Sequence, residues 1–179
     1  GRAFIGGASG VMVSGLVWLV AGGVWMIHGA NAAFWAVFFG GMAIFPLGLL
    51  IARAVFKAPP VGVGKPLERL GLESTFVLFA GVIVAWALLP SGAERAMAVL
   101  AIIVGARYFT FRTMYDEAAY WLLGGAFVGA GAGALFGFGA TGPAMAFAIG
   151  AVEVVAAVLI YRRWKRGNSL AGEPDGGVD

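Results

Sequence analysis

The chain has no cysteine, which excludes disulfides, zinc–thiolate sites, iron–sulfur clusters and cysteine nucleophiles. It has a single histidine, His28, so a multi-histidine metal or haem site within one chain is not expected, and no cofactor is expected either. Charge is scarce. Asp, Glu, Lys and Arg together make up 12% of the residues, against about 25% in soluble domains. Hydrophobic residues instead account for 61% of the 179 positions, glycine for 30 of them, and the mean hydropathy is +0.92. Such a chain is an integral membrane protein. Its pI near 9.6 does not argue for nucleic acid, because the basic residues sit at the ends of apolar runs, where they orient helices in a bilayer.

Six apolar runs can be drawn, at 3–27, 31–56, 72–89, 94–115, 117–139 and 143–165, each near the ~20 residues that cross a bilayer. The first is too long for a cleavable signal and continues into a second. The expected fold is all-α: one polytopic membrane domain over 1–166, six transmembrane helices in a compact Gly-rich bundle. A Gly-, Pro- and Asp-rich tail over 167–179 is expected to be disordered. If the runs alternate in direction, Arg95 alone of the 12 Lys and Arg falls on one side and the rest fall on the other. The positive-inside rule then puts both termini in the cytoplasm. The Trp residues mostly fit interfacial belts or lipid-facing anchors, and Arg162-Arg163-x-Lys165-Arg166 fits contact with anionic lipid heads.

Gly125, Gly129, Gly133 and Gly137 recur at every fourth position. In water each glycine would cost a helix nearly 1 kcal/mol relative to alanine, but in a bilayer the backbone has no alternative to the helix. The ladder is therefore read as a groove for a neighbouring helix. The favoured partner is the first span, through Gly6, Gly10 and Ser14, which share a four-residue spacing.

Gly7-Ala8-Ser9-Gly10 matches the Gly-x-Ser-Gly pattern of intramembrane serine proteases. Ser9 and His28, however, fall on the same predicted helix about 28 Å apart, and a base must lie within hydrogen-bond reach of its nucleophile. Small residues on a packing face explain the pattern better.

Glu153 carries more weight. It lies ten residues past Pro143, about 15 Å into a ~30 Å hydrocarbon layer. A carboxyl there needs a partner, a cavity or a proton path. Arg107 comes within one turn of the same depth, so the two are expected to pair as the only polar centre near mid-membrane, with Glu153 ionised. A second polar cluster, Arg53, Glu73, Ser74, Thr75, Tyr108, Thr110, Arg112, Tyr115, Asp116, Glu117 and Tyr120, gathers at the cytoplasmic ends. It reads either as helix-end anchoring or as a vestibule leading to Glu153 and Arg107. The candidate substrate or coupling site is then Glu153, Arg107, Tyr108, Glu73, Thr75 and Arg53.

At Gly40-Gly41-Met42-Ala43-Ile44-Phe45-Pro46-Leu47, Gly71-Leu72-Glu73-Ser74-Thr75 and Val104-Gly105-Ala106-Arg107-Tyr108 the chain resembles a domain family of unknown function. Its members are small bacterial six-helix membrane proteins. The resemblance covers spans two to five and implies that architecture and a bacterial inner membrane. Two functional classes stay open. A carrier or solute-binding subunit, with a small molecule or ion as its substrate, predicts a polar cavity reaching mid-membrane. A structural or regulatory subunit predicts a dry interior and an apolar patch for a protein partner or a second copy. An intramembrane enzyme is the weakest reading.

Overall fold

The computed structural model describes residues 7–54 and 65–171, and every regular element among them is helical. The helices are α1 (Ala8–Ala54), α2 (Lys65–Ala87), α3 (Ala93–Tyr115), α4 (Ala119–Phe136) and α5 (Gly142–Ala171). All five contain stretches long and apolar enough to cross a membrane. The sequence led us to expect six separate helices, and the difference lies in α1, which takes in the first two apolar runs. Only Gly29 leaves helical geometry inside it, at φ 84° and ψ 174°. Glycine adopts that positive φ without steric cost.

The chain folds back at this point. A Cβ built on Gly40 would lie 2.5 Å from Cγ1 of Val17, although a straight helix would hold these residues about 35 Å apart. The two limbs flank an apolar crevice of about 230 Å³, lined by Val13, Leu16, Val17, Val20, Ala36, Gly40 and Leu47.

Two other boundaries differ from expectation. α2 begins at Lys65, about two turns before the start expected for span three at position 72. α5 runs to Ala171, so the first residues of the segment read as a disordered tail are helical. Residues 172–179 lie outside the described ones.

Helix α1 packs mainly on α5, and α3 packs on α4. Helices α4 and α5 join these pairs, while α2 rests on α3. Close approach depends on glycines, though not on the ladder. A Cβ on Gly15 would lie 2.9 Å from the Gly150 carbonyl oxygen, and one on Gly150 would lie 2.8 Å from that of Gly15. The α1 and α5 backbones therefore touch. Gly131 does the same for α4 and α3, since a Cβ there would collide with the Ala98 carbonyl oxygen.

The ladder itself turns elsewhere. A Cβ on Gly125, Gly129 or Gly137 would meet nothing within 4 Å, and the same is true of Gly10. Gly6 lies outside the described residues. The lower rungs end the helix: Gly137 caps α4 at φ 78°, and the Gly133 carbonyl accepts from the Phe138 and Gly139 amides. This is the left-handed glycine terminus common to α-helices. A four-residue period identifies a face, but whether that face meets a helix depends on the tertiary arrangement.

Trp18 and Trp25 are also exceptions to the belt reading. Both are buried in the core, with Trp18 edge-on to Phe127 at 5.8 Å. Trp86 and Trp121 are exposed, as are Phe76, Val77, Ile83 and Leu122. An outer surface this apolar suits lipid rather than water.

Candidate functional site: a buried carboxyl held by a tyrosine

The inward stripe of α3 includes Met97, Ala101, Gly105 and Tyr108, spaced as one face of a helix requires. Gly105 lets α4 approach, since a Cβ there would lie 2.6 Å from Cβ of Phe127. One turn on, Tyr108 points into the centre of the bundle.

There it meets Glu153. The carboxyl is 0% exposed, and its Oε1 accepts a hydrogen bond from the Tyr108 hydroxyl. Ser14 of α1 is also buried, beside Gly15, whose absent Cβ would lie 3.0 Å from that of Glu153. The neighbouring Gly15–Gly150 contact brings α1 against α5 at this level. The second carboxyl oxygen, Oε2, is buried and has no hydrogen-bond partner among the described residues.

The expected Glu153–Arg107 pair is not formed. Arg107 directs Nη2 to Oγ1 of Thr75 on α2 at 3.1 Å, and its guanidinium carbon lies 5.0 Å from the centre of the Phe111 ring. Matching depth along two helices does not bring side chains together. Adjacent residues on a helix diverge by about 100°, so when Tyr108 faces inward Arg107 faces α2. The argument for an ionised Glu153 held by Arg107 lapses with the pair.

The remaining candidates divide. Thr75 donates to the Gly71 carbonyl at 2.9 Å and accepts from Arg107. Ser74 also donates to Gly71. Glu73 is exposed on α2, outside both groups, and the side chain of Arg53 lies outside the described residues. At the α3–α4 end Tyr120 stacks between Tyr108 and Tyr115, at centroid distances of 5.8 and 5.6 Å, with Phe111 edge-on to all three rings. Glu117, buried in the turn, binds Arg163 of α5 at 3.0 Å. Arg112 and the exposed Asp116 form a separate surface pair at 2.7 Å.

Of the cluster read as anchoring or vestibule, Tyr108, Tyr115 and Tyr120 form a packed aromatic layer, with the Glu117–Arg163 ion pair beside it. Sequence reasoning puts Tyr108 in one candidate site with Glu153 but pairs the carboxyl with Arg107, and it reads Ser14 as a packing residue. The stripe on α3 was the signal that could have paired Tyr108 with Glu153.

Comparison with curated proteins and with solved structures yields no match to this chain. The model of a family of unknown function, DUF7010, matches residues 2–163, and the chain belongs to that family.

Proposed function

We propose that this protein is a proton-linked membrane carrier in which Glu153 binds and releases the proton. The observation that carries the reading is the inequality of its two carboxyl oxygens. Oε1 is engaged by Tyr108, while Oε2 is buried without a partner. A purely structural carboxyl gains nothing from an idle buried oxygen, which costs about 1–3 kcal/mol, and ionisable groups at membrane depth commonly mark ion or proton paths. A proton is small enough to occupy such an oxygen without opening the bundle. In this reading each limb of α1 crosses the membrane, giving six crossings of the bacterial inner membrane with both termini cytoplasmic. The length of each limb, at ~1.5 Å per residue, suffices for a ~30 Å layer.

Dicyclohexylcarbodiimide, which reacts with protonated carboxyls in apolar surroundings, tests the reading. One adduct is expected, on the peptide containing Glu153, with a yield that falls as the medium is made alkaline and no adduct in Glu153→Gln. No adduct, or a yield indifferent to pH, would overturn it.

A second reading, a structural or regulatory membrane subunit, draws on the closure of the site. Glu153 is sealed, α1 and α5 touch beside it, and the crevice in α1 is lined by apolar side chains. That reading expects no carbodiimide adduct, and a loss of thermal stability as the main effect of Glu153→Gln.

A further inference from the structure

We propose that Arg107 is a binding site for a phosphate group in the seam between α2 and α3, supplied by an anionic membrane lipid. The inference is independent of whether Glu153 carries a proton.

Among the described residues, Arg107 has no acidic partner. Asp116 is taken by Arg112, Glu117 by Arg163, and Glu153 by Tyr108. The groups that hold Arg107 are neutral: the Thr75 hydroxyl on one side and the Phe111 ring on the other. Thr75 spends its own proton on the Gly71 carbonyl, so it presents a lone pair to the guanidinium. These contacts fix the orientation of the guanidinium and leave its charge uncompensated. Its Nε is buried with no partner, a further sign of an under-satisfied cation.

Position favours a lipid. Among the α-helices, α2 packs on α3 and presents much of its remaining surface outward, so the seam opens toward the bilayer. Thr75 lies about 4.5 Å along α2 from position 72, where the apolar run begins. That depth is close to the boundary at which phospholipid phosphates sit. A guanidinium fork binds phosphate oxygens in parallel pairs, and basic pockets between transmembrane helices take anionic head groups. An exchangeable anion would supply the charge that Glu153 does not.

The test uses the detergent-purified full chain, with melting temperature read against added dihexanoyl phosphatidylglycerol, dihexanoyl phosphatidylcholine or inorganic phosphate. Phosphatidylglycerol is expected to raise the melting temperature saturably, with binding about tenfold or more weaker in Arg107→Gln, as loss of a charge-assisted pair implies. Arg112→Gln should bind like the wild type. A shift of the same size in Arg107→Gln, or an equal shift with phosphatidylcholine, overturns the proposal. An Arg107-dependent shift produced by inorganic phosphate alone supports the site and assigns it to a free phosphate.

Should Arg107→Gln fail to fold, the wild type decides the matter through phenylglyoxal modification. Phosphatidylglycerol is expected to protect the Arg107 peptide and phosphatidylcholine to leave it reactive. Absence of protection overturns the site.

Discussion

The Tyr108 hydroxyl donates to Oε1 of Glu153, tying α3 to α5 across 45 positions of sequence. Its immediate neighbour, Arg107, takes no part and reaches Thr75 on the opposite side of α3. The polar centre of the bundle is consequently a hydrogen bond between a phenol and a carboxyl rather than an ion pair, and the consequences of mutation follow that division.

Tyr108→Phe removes the hydroxyl that donates to Oε1 of Glu153 and leaves a buried acceptor without that partner. The expected loss is about 1–3 kcal/mol, read as a lower melting temperature of the purified protein. Glu153→Gln and Arg107→Met should combine additively within about 0.5 kcal/mol, because the two side chains share no partner. Coupling well above that level would restore the ion pair that the structure rejects.

The reversal of α1 at Gly29 can be read by cross-linking, since the chain has no native cysteine to compete. A Cβ on Gly40 falls 3.3 Å from Cβ of Val17, close to the ~3.5–4.5 Å found across disulfides. The double variant Val17→Cys, Gly40→Cys should oxidise to an intramolecular disulfide, seen as a mobility change that reductant reverses. A pair such as Val17→Cys with Ile27→Cys should not. Failure of the first pair to close would mean that α1 does not double back.

Glycine tolerance should follow contact rather than period. Gly131→Ala forces a methyl against the Ala98 carbonyl, and Gly150→Ala forces one against that of Gly15. Overpacking of this kind costs about 1–3 kcal/mol. Gly129→Leu, whose side chain starts in open space, should leave the melting temperature nearly unchanged. Equal sensitivity at Gly129 and Gly131 would return the ladder to the role of an internal packing face.

Orientation is accessible by the same cysteine-free background. Single cysteines at Asn31, Glu94 or Thr141 should react with a membrane-impermeant maleimide applied outside intact spheroplasts. Cysteines at Asp116 or Arg166 should react only after the membrane is opened. The motive is the isolation of Arg95 from the other 11 of the 12 basic residues. The opposite pattern would invert the protein in the membrane.

Composition and hydropathy alone determined that the chain is helical and apolar enough for a bilayer, and that Glu153 falls in the middle of an apolar run, where a carboxyl needs a partner. Each of these is a property of one run of residues: hydropathy sums along it, and depth is the count of residues multiplied by a fixed rise. Tertiary structure decided which partner Glu153 has, and which glycines touch. It also decided that the first two apolar runs form one element folded at Gly29. Those outcomes depend on how each helix is rotated about its axis and on which helices become neighbours. Rotation follows from packing the whole bundle at once, where contact between Gly15 and Gly150 sets the α1–α5 spacing and a turn of about 100° separates Tyr108 from Arg107.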